Sequence, residues 1–299
     1  MKRPSPEALA AATALARRNR GRSAQLRRLF VERFDIAEPT PLAMMLRGGR
    51  GGHVRLKTYL SMLWLAAAPP HDVAYPARAW ASLLDLPDPS GRGARRVNDA
   101  IAWLEDNAFI EVATQPGYPN RVTLLHESGS GSRYRVPGEA YNKGKASGAD
   151  ASELMHHRYL QMPATYWTSG WMCTLSGPAT AMFLVLLAEQ SGRPDDQELW
   201  FSPDAATLRY SLSADTRSSG LQELRRAGLV SVRRRAIASD VFDVQRFRNT
   251  YLLQTERLSD PAELPAGKAA SDEQPLAPAL RKRRPRKKRV VRKARQKSS

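Results

Sequence analysis

The sequence predicts a mainly α chain with small β-hairpins, an α+β arrangement of two similar domains between a basic N-terminal helix and a disordered basic C-terminal tail. Three observations carry this expectation. Two segments repeat the same order of apolar helices and short strands, and the 299 residues leave room for two compact domains plus ends. The formal charge of +18 is also unevenly placed. Residues 281–297 hold 12 Lys or Arg and no acid, residues 1–34 carry a net +7, and residues 35–280 are left at −1. The middle is nearly neutral, so the charge sits in two arms and in local patches.

Taken in order, residues 6–34 read as one amphipathic helix. Pro6 and Glu7 suit a first turn, Leu26, Phe30 and Phe34 recur every four residues, and Gly21 is a point where it could split. A Gly-rich joint at 48–52 precedes an apolar helix at 54–68, a strand at 73–75, helices at 77–84 and 93–107, and a hairpin of 109–114 and 121–126. Residues 127–150 loosen, with five glycines among Ser, Lys and Ala, and read as a linker. The second segment has a helix at 177–190, a strand at 199–201, helices at 203–208 and 214–227, and strands at 230–235 and 248–253. After Thr255 the chain turns to Pro, Ala, Glu and Asp and then to the basic run, where no core is expected. The expected division is an arm and joint over 1–50, a domain over 51–126, a linker over 127–160, a second domain over 161–256 and a tail over 257–299.

A shift of 120 residues superposes Ile101, Leu104, Phe109, Ile110 and Val112 on Leu221, Leu224, Leu229, Val230 and Val232. Each third helix closes on a small residue, Ala108 or Gly228, before the next strand. An offset of domain size means duplication rather than a short-repeat solenoid.

Helix, small strand, helix, turn, helix and hairpin is an order that resembles the winged helix-turn-helix superfamily. The phrase Leu224-Arg225-Arg226-Ala227-Gly228-Leu229-Val230 is similar to MarR-like proteins, and two such domains in one chain resemble the tandem winged-helix initiators of plasmid replication. The resemblance covers residues 54–126 and 177–255. It implies that the third helix of each domain enters the major groove of DNA while the hairpin wing touches phosphates or the minor groove.

The candidate contacts follow from that placement. In the first domain they are Arg92, Arg95, Arg96 and Asn98, guanidiniums that fork onto guanine and an amide suited to adenine. In the second, Ser213 caps the helix and Thr216, Arg217 and Ser218 are expected to be free to reach DNA. The wings offer Arg121 in the first domain and Arg233, Arg234, Arg235, Arg246 and Arg248 in the second, where Asp240 and Asp243 argue against minor-groove insertion of the loop tip. The tail residues Arg281, Lys282, Arg283, Arg284, Arg286, Lys287, Lys288 and Arg289 would bind any nucleic acid by releasing counterions. Tyr159, Tyr166, Trp167 and Trp171 read as core packing rather than as a base-stacking platform.

No catalytic constellation emerges, and no enzyme, cofactor or metal site is expected. The five histidines lack metal or triad spacing, the adjacent His156 and His157 lack the spacer of a nickase metal pair, and no phosphate-cradling Lys-Ser loop is present. The single Cys173 excludes an internal disulfide and fits a reducing, cytoplasmic setting, associated with the nucleoid. No apolar run is long enough for membrane insertion. The expected partner is double-stranded DNA, with self-association or replication and transcription proteins as further partners. The role that follows is a sequence-specific transcriptional regulator acting by operator occupancy. A plasmid or mobile-element replication initiator and an architectural DNA-coating protein are the alternatives.

Overall fold

The structure, a computed structural model, describes residues 1–33, 38–49, 51–237 and 247–266. It combines helices with small antiparallel sheets, and no helix among the described residues is long and apolar enough to cross a membrane. Arg246 and the whole basic run from Arg281 lie outside the described residues.

The N-terminal arm differs from the expected single helix. Ser5 caps α1 (Pro6–Arg18) by accepting from the Ala8 N–H, and Asn19 ends it. Arg20 and Gly21 both take positive φ, which stops the helix, and the chain continues as β1 (Ala24–Arg27). A cap from Thr40 opens α2 (Pro41–Leu46).

The first repeated segment then runs α3 (Gly52–Leu65), β2 (Asp72–Val73), α4 (Ala77–Leu83), α5 (Arg92–Asp106), β3 (Ile110–Ala113) and β4 (Arg121–Leu124). Its sheet has the order β2-β4-β3, all antiparallel. The expected linker is instead structured: α6 (Pro137–Ala146), α7 (Ala151–His157) and β5 (Tyr159–Met162), which pairs with β1. The buried Arg27 of β1 forms an ion pair with the fully buried Glu127, and its guanidinium also donates to the Arg135 carbonyl at 2.7 Å. Glycine content misled here because Gly129, Gly131 and Gly148 take positive φ in turns between ordered elements.

Two short helices, α8 (Thr165–Thr168) and α9 (Trp171–Thr174), lead to the second segment: α10 (Gly177–Gln190), α11 (Pro203–Tyr210), α12 (Ala214–Arg226), β6 (Val230–Ala236) and β7 (Phe247–Leu253). The strand expected at 199–201 is a single bridge, Leu199 to Tyr251, beside the β6–β7 hairpin. Buried residues occupy almost the whole circumference of α10, which is why its sequence is apolar on every face. Helix α12 crosses α10 at Gly220, where a Cβ would stand 2.3 Å from the Pro178 carbonyl oxygen.

The two segments end their third helices with the same backbone bonds. Ala108 and Gly228 are both left-handed. The pairs Ala108 N to Glu105 O and Phe109 N to Leu104 O recur 120 residues later as Gly228 N to Arg225 O and Leu229 N to Leu224 O, all 2.9 to 3.0 Å. This is one C-terminal capping pattern used twice.

The two segments share one continuous core rather than forming separate beads. Trp64 of α3 stacks on Trp167 with ring centroids 4.7 Å apart, and the Trp167 indole donates to Ser61 at 3.0 Å. Tyr166, Trp167 and Trp171 are buried. Each such aromatic contact adds about 1 kcal/mol beyond its burial. The chain after Thr255 corrects a further expectation: Leu258, Ala262 and Leu264 are buried, and Leu264 exchanges backbone hydrogen bonds with Lys2. Three apolar residues are enough to hold that segment down despite its polar composition.

Candidate functional site

The start of α5 is built against the usual rules of helix electrostatics. Its first turn contains no acid, its N-cap is Gly91 without a side-chain bond, and Arg92, Arg95 and Arg96 crowd the end where the helix dipole is already positive. Asp88 offsets part of this, accepting from the Arg92 N–H at 2.9 Å and lying 3.7 Å from its guanidinium. Gly93 lets the chain turn tightly, since a Cβ there would lie 2.9 Å from the Asp88 carbonyl oxygen. Arg92, Arg95 and Asn98 are exposed on one face, whereas Arg96 is half-buried and donates to His53 Nε2 at 2.9 Å. Arginine can only donate, so Nε2 accepts and the imidazole is neutral. Burial, with Lys57, Arg96 and Lys2 nearby, lowers the His53 pKa to about 4, which keeps that acceptor in place.

From Arg96 a line of guanidiniums leads to the second segment. Arg96 and Arg55 border one cleft of about 250 Å³, and Arg55 also rests on the Trp103 ring at 4.8 Å. Arg55 donates to the Arg47 carbonyl at 3.0 Å. Arg47 and Arg33 then border a second cleft of about 390 Å³ together with Thr207, Ser211, Ser213 and Thr216 at the start of α12. The arm is fixed there by hydrogen bonds from Thr40 to Tyr210 O (3.0 Å) and from Arg33 N to Arg209 O (2.8 Å). Buried Arg33 Nε has no hydrogen-bond partner among the described residues.

Helix α12 itself is conventional. Ser213 accepts from the Thr216 N–H at 3.1 Å, Asp215 lies in the first turn, and Arg225 and Arg226 lie in the last. The expectation that Arg217 reaches outward is corrected. Arg217 is buried, and its guanidinium donates to Thr207 Oγ1 (2.9 Å), Leu212 O (2.5 Å) and Pro203 O (3.1 Å). It ties α11 to α12. Ser218 is half-buried, and the Thr216 hydroxyl is bonded to Ser213.

The hairpins hold their arginines differently. Arg121 pairs with Asp72 at 2.6 Å, behind a turn whose Tyr118 is exposed. Arg233 and Arg235 converge on Glu198 at 3.0 and 2.5 Å, and Arg248 lies over Trp200 at 4.6 Å. Hydrogen bonds from Arg235, Thr250 and Arg233 bring the Glu198 pKa down to about 2. Arg234 covers the Phe247 ring at 4.3 Å. Sequence reasoning missed Arg33, Arg47, Arg55, His53, Glu198 and Trp200, because each acquires its place from a contact distant in sequence. Among the described residues, no group of three His, Cys, Asp or Glu is placed to hold a metal. No family model matches the chain, nor does any curated protein or solved structure.

Proposed function

We propose that this chain is a sequence-specific double-stranded DNA-binding protein, built from two winged helix-turn-helix units, that occupies a bipartite operator and regulates transcription. One observation carries the reading. A band of guanidiniums, Arg96, Arg55, Arg47 and Arg33, joins the start of α5 to the start of α12, the two positions from which such units address the major groove. Exposed Arg92, Arg95 and Asn98 supply the base-reading chemistry, and the band supplies phosphate grip. The second unit reads less: its helix start offers hydroxyls, with guanidiniums borrowed from the arm. The basic tail adds affinity without sequence preference.

The shared core favours a second reading of the biological role, as a replication initiator on origin repeats. Two units fixed in one body recognise a site of constant half-site spacing as a monomer, and such a protein can tile an array. Random-oligonucleotide selection with the full chain tests both. A bipartite motif is expected, and its occurrence singly near promoters or in arrays assigns the role. The double variant Arg95→Ala, Arg96→Ala is expected to lose about 1 to 3 kcal/mol of specific binding for each base contact removed. An unchanged motif and affinity in that variant would remove α5 as the reader, and recovery of no motif by the intact chain would sink the proposal.

A further inference from the structure

The outward face of the second unit's sheet carries chemistry that duplex reading by helices leaves unused. Directly opposed residues of an antiparallel pair share a face, so the pairs Arg235 with Arg248 and Arg233 with Thr250 place three guanidiniums on one side of β6 and β7. The bridge of Leu199 to Tyr251 adds a third extended segment. Leu199 is fully buried, so its neighbours Glu198 and Trp200 alternate outward onto that same face. Among the described residues the result is a patch with one indole, 44% exposed, among three arginines and a single carboxylate.

Each group is held ready. Glu198 fixes Arg233 and Arg235 through 2.5 to 3.0 Å bonds, and Thr250 donates to it at 2.8 Å, so the carboxylate acts as a strut for two guanidiniums that remain more than half exposed. Arg248 rests on the Trp200 ring, and its buried Nε has no hydrogen-bond partner among the described residues, so the ring contact orients it. Arg233, Arg235 and Arg248 against Glu198 give these four residues a net charge of +2. Three extended segments span about 10 Å, enough for one base and its flanking phosphates.

We propose that this face binds single-stranded nucleic acid, one base stacking on Trp200 while Arg233, Arg235 and Arg248 take the adjoining phosphates. Positive charge selects a polyanion, and an exposed indole beside arginine selects an unpaired base, because a duplex keeps its base faces inside its own stack. The activity is separate from duplex reading by α5, and either can fail alone.

The test is anisotropy with labelled oligo(dT) and oligo(U) of about 20 nucleotides, alongside a duplex, using the full chain at about 0.3 M salt to suppress diffuse binding by the basic tail. Trp200→Leu is expected to weaken binding of one or both homopolymers by about ten- to a hundred-fold, the size of one lost base stack, and to leave duplex affinity and the circular dichroism spectrum unchanged. The ratio between the two homopolymers assigns the sugar preference. Arg248→Ala is expected to give a smaller loss in the same direction. Unchanged homopolymer affinity in Trp200→Leu overturns the proposal, and so does an equal loss on duplex and single strand, which would make this face part of the duplex grip.

Discussion

Helices α5 and α12 occupy equivalent places 120 residues apart, yet their first turns follow opposite principles. Helix α12 has a serine cap, an acid in its first turn and arginines in its last, all in accord with the helix dipole. Helix α5 has a glycine N-cap, no acid in its first turn and three arginines gathered at the positive end. Local rules are broken most often where function demands it, so under the proposed DNA-binding role the misfit favours α5 over α12 as the reader. Even their arginines differ in kind. Arg95 is exposed and, among the described residues, makes no ion pair, whereas Arg217 is consumed by three acceptors of its own unit.

The largest expected effect separates those two arginines. Arg217→Ala strands the Leu212 carbonyl in a buried joint and removes the part-buried bonds to the Pro203 carbonyl and the Thr207 hydroxyl, which keep each other, and should cost about 2 kcal/mol of folding stability, read as a lower urea midpoint. The same variant should leave the bases selected by α5 unchanged once the protein is folded. A variant of full stability and altered site preference would make Arg217 a DNA contact after all and erase the distinction between the copies.

Acid should also divide the units. Every histidine lies before residue 158, so the second unit contains none. Burial holds both His53 and His126 at about 4, below their ordinary 6.5, aided at His53 by Lys57, Arg96 and Lys2 and at His126 by Arg27 and the neighbouring histidines. Between those values the unfolded chain binds more protons than the folded one. The stability these two histidines contribute is therefore fully present above about pH 6.5 and is lost as pH drops toward about 4. Hydrogen exchange should show α3 and α5 losing protection between about pH 7 and about pH 5 before α11 and α12 do, and His53→Gln should remove part of that loss. Equal loss in both units, or none, would mean that the His53 to Arg96 contact does not hold α5.

Much of this contrast was written in the string, and some of it was misread there. The duplicated helices, the hairpins and the left-handed closures at Ala108 and Gly228 depend on periodicities within about ten residues, and they are found within a few residues of where the sequence places them. The 120-residue shift also held the answer for Arg217, which aligns with the fully buried Val97 and lies on the same helical stripe as Gly220, Leu221 and Leu224. A charged residue in an apolar stripe signals a satisfied interior group, and that signal was available. The pairing of β1 with β5 had no comparable trace, since four-residue strands meet across more than 130 positions. The arginine band was equally hidden, because Arg33, Arg47 and Arg55 become a site only when the arm packs beside the turn between α11 and α12.

The smallest effect is the sharpest test of what the first turn of α5 is for. Arg95 opposes the helix dipole and has no ion-pair partner among the described residues, so its charge contributes little to folding where it stands. Arg95→Gln keeps helix propensity and length while removing the unfavourable charge, and the unfolding free energy should rise by about 0.3 kcal/mol. Specific DNA affinity should fall in the same protein. A stability gain paired with a binding loss is what a residue kept for recognition produces, whereas a residue kept for packing loses both. A drop in stability of about 1 kcal/mol or more would place Arg95 with Arg217 among the structural arginines, and the search for the reading surface would move to the hydroxyl-lined cleft at the start of α12.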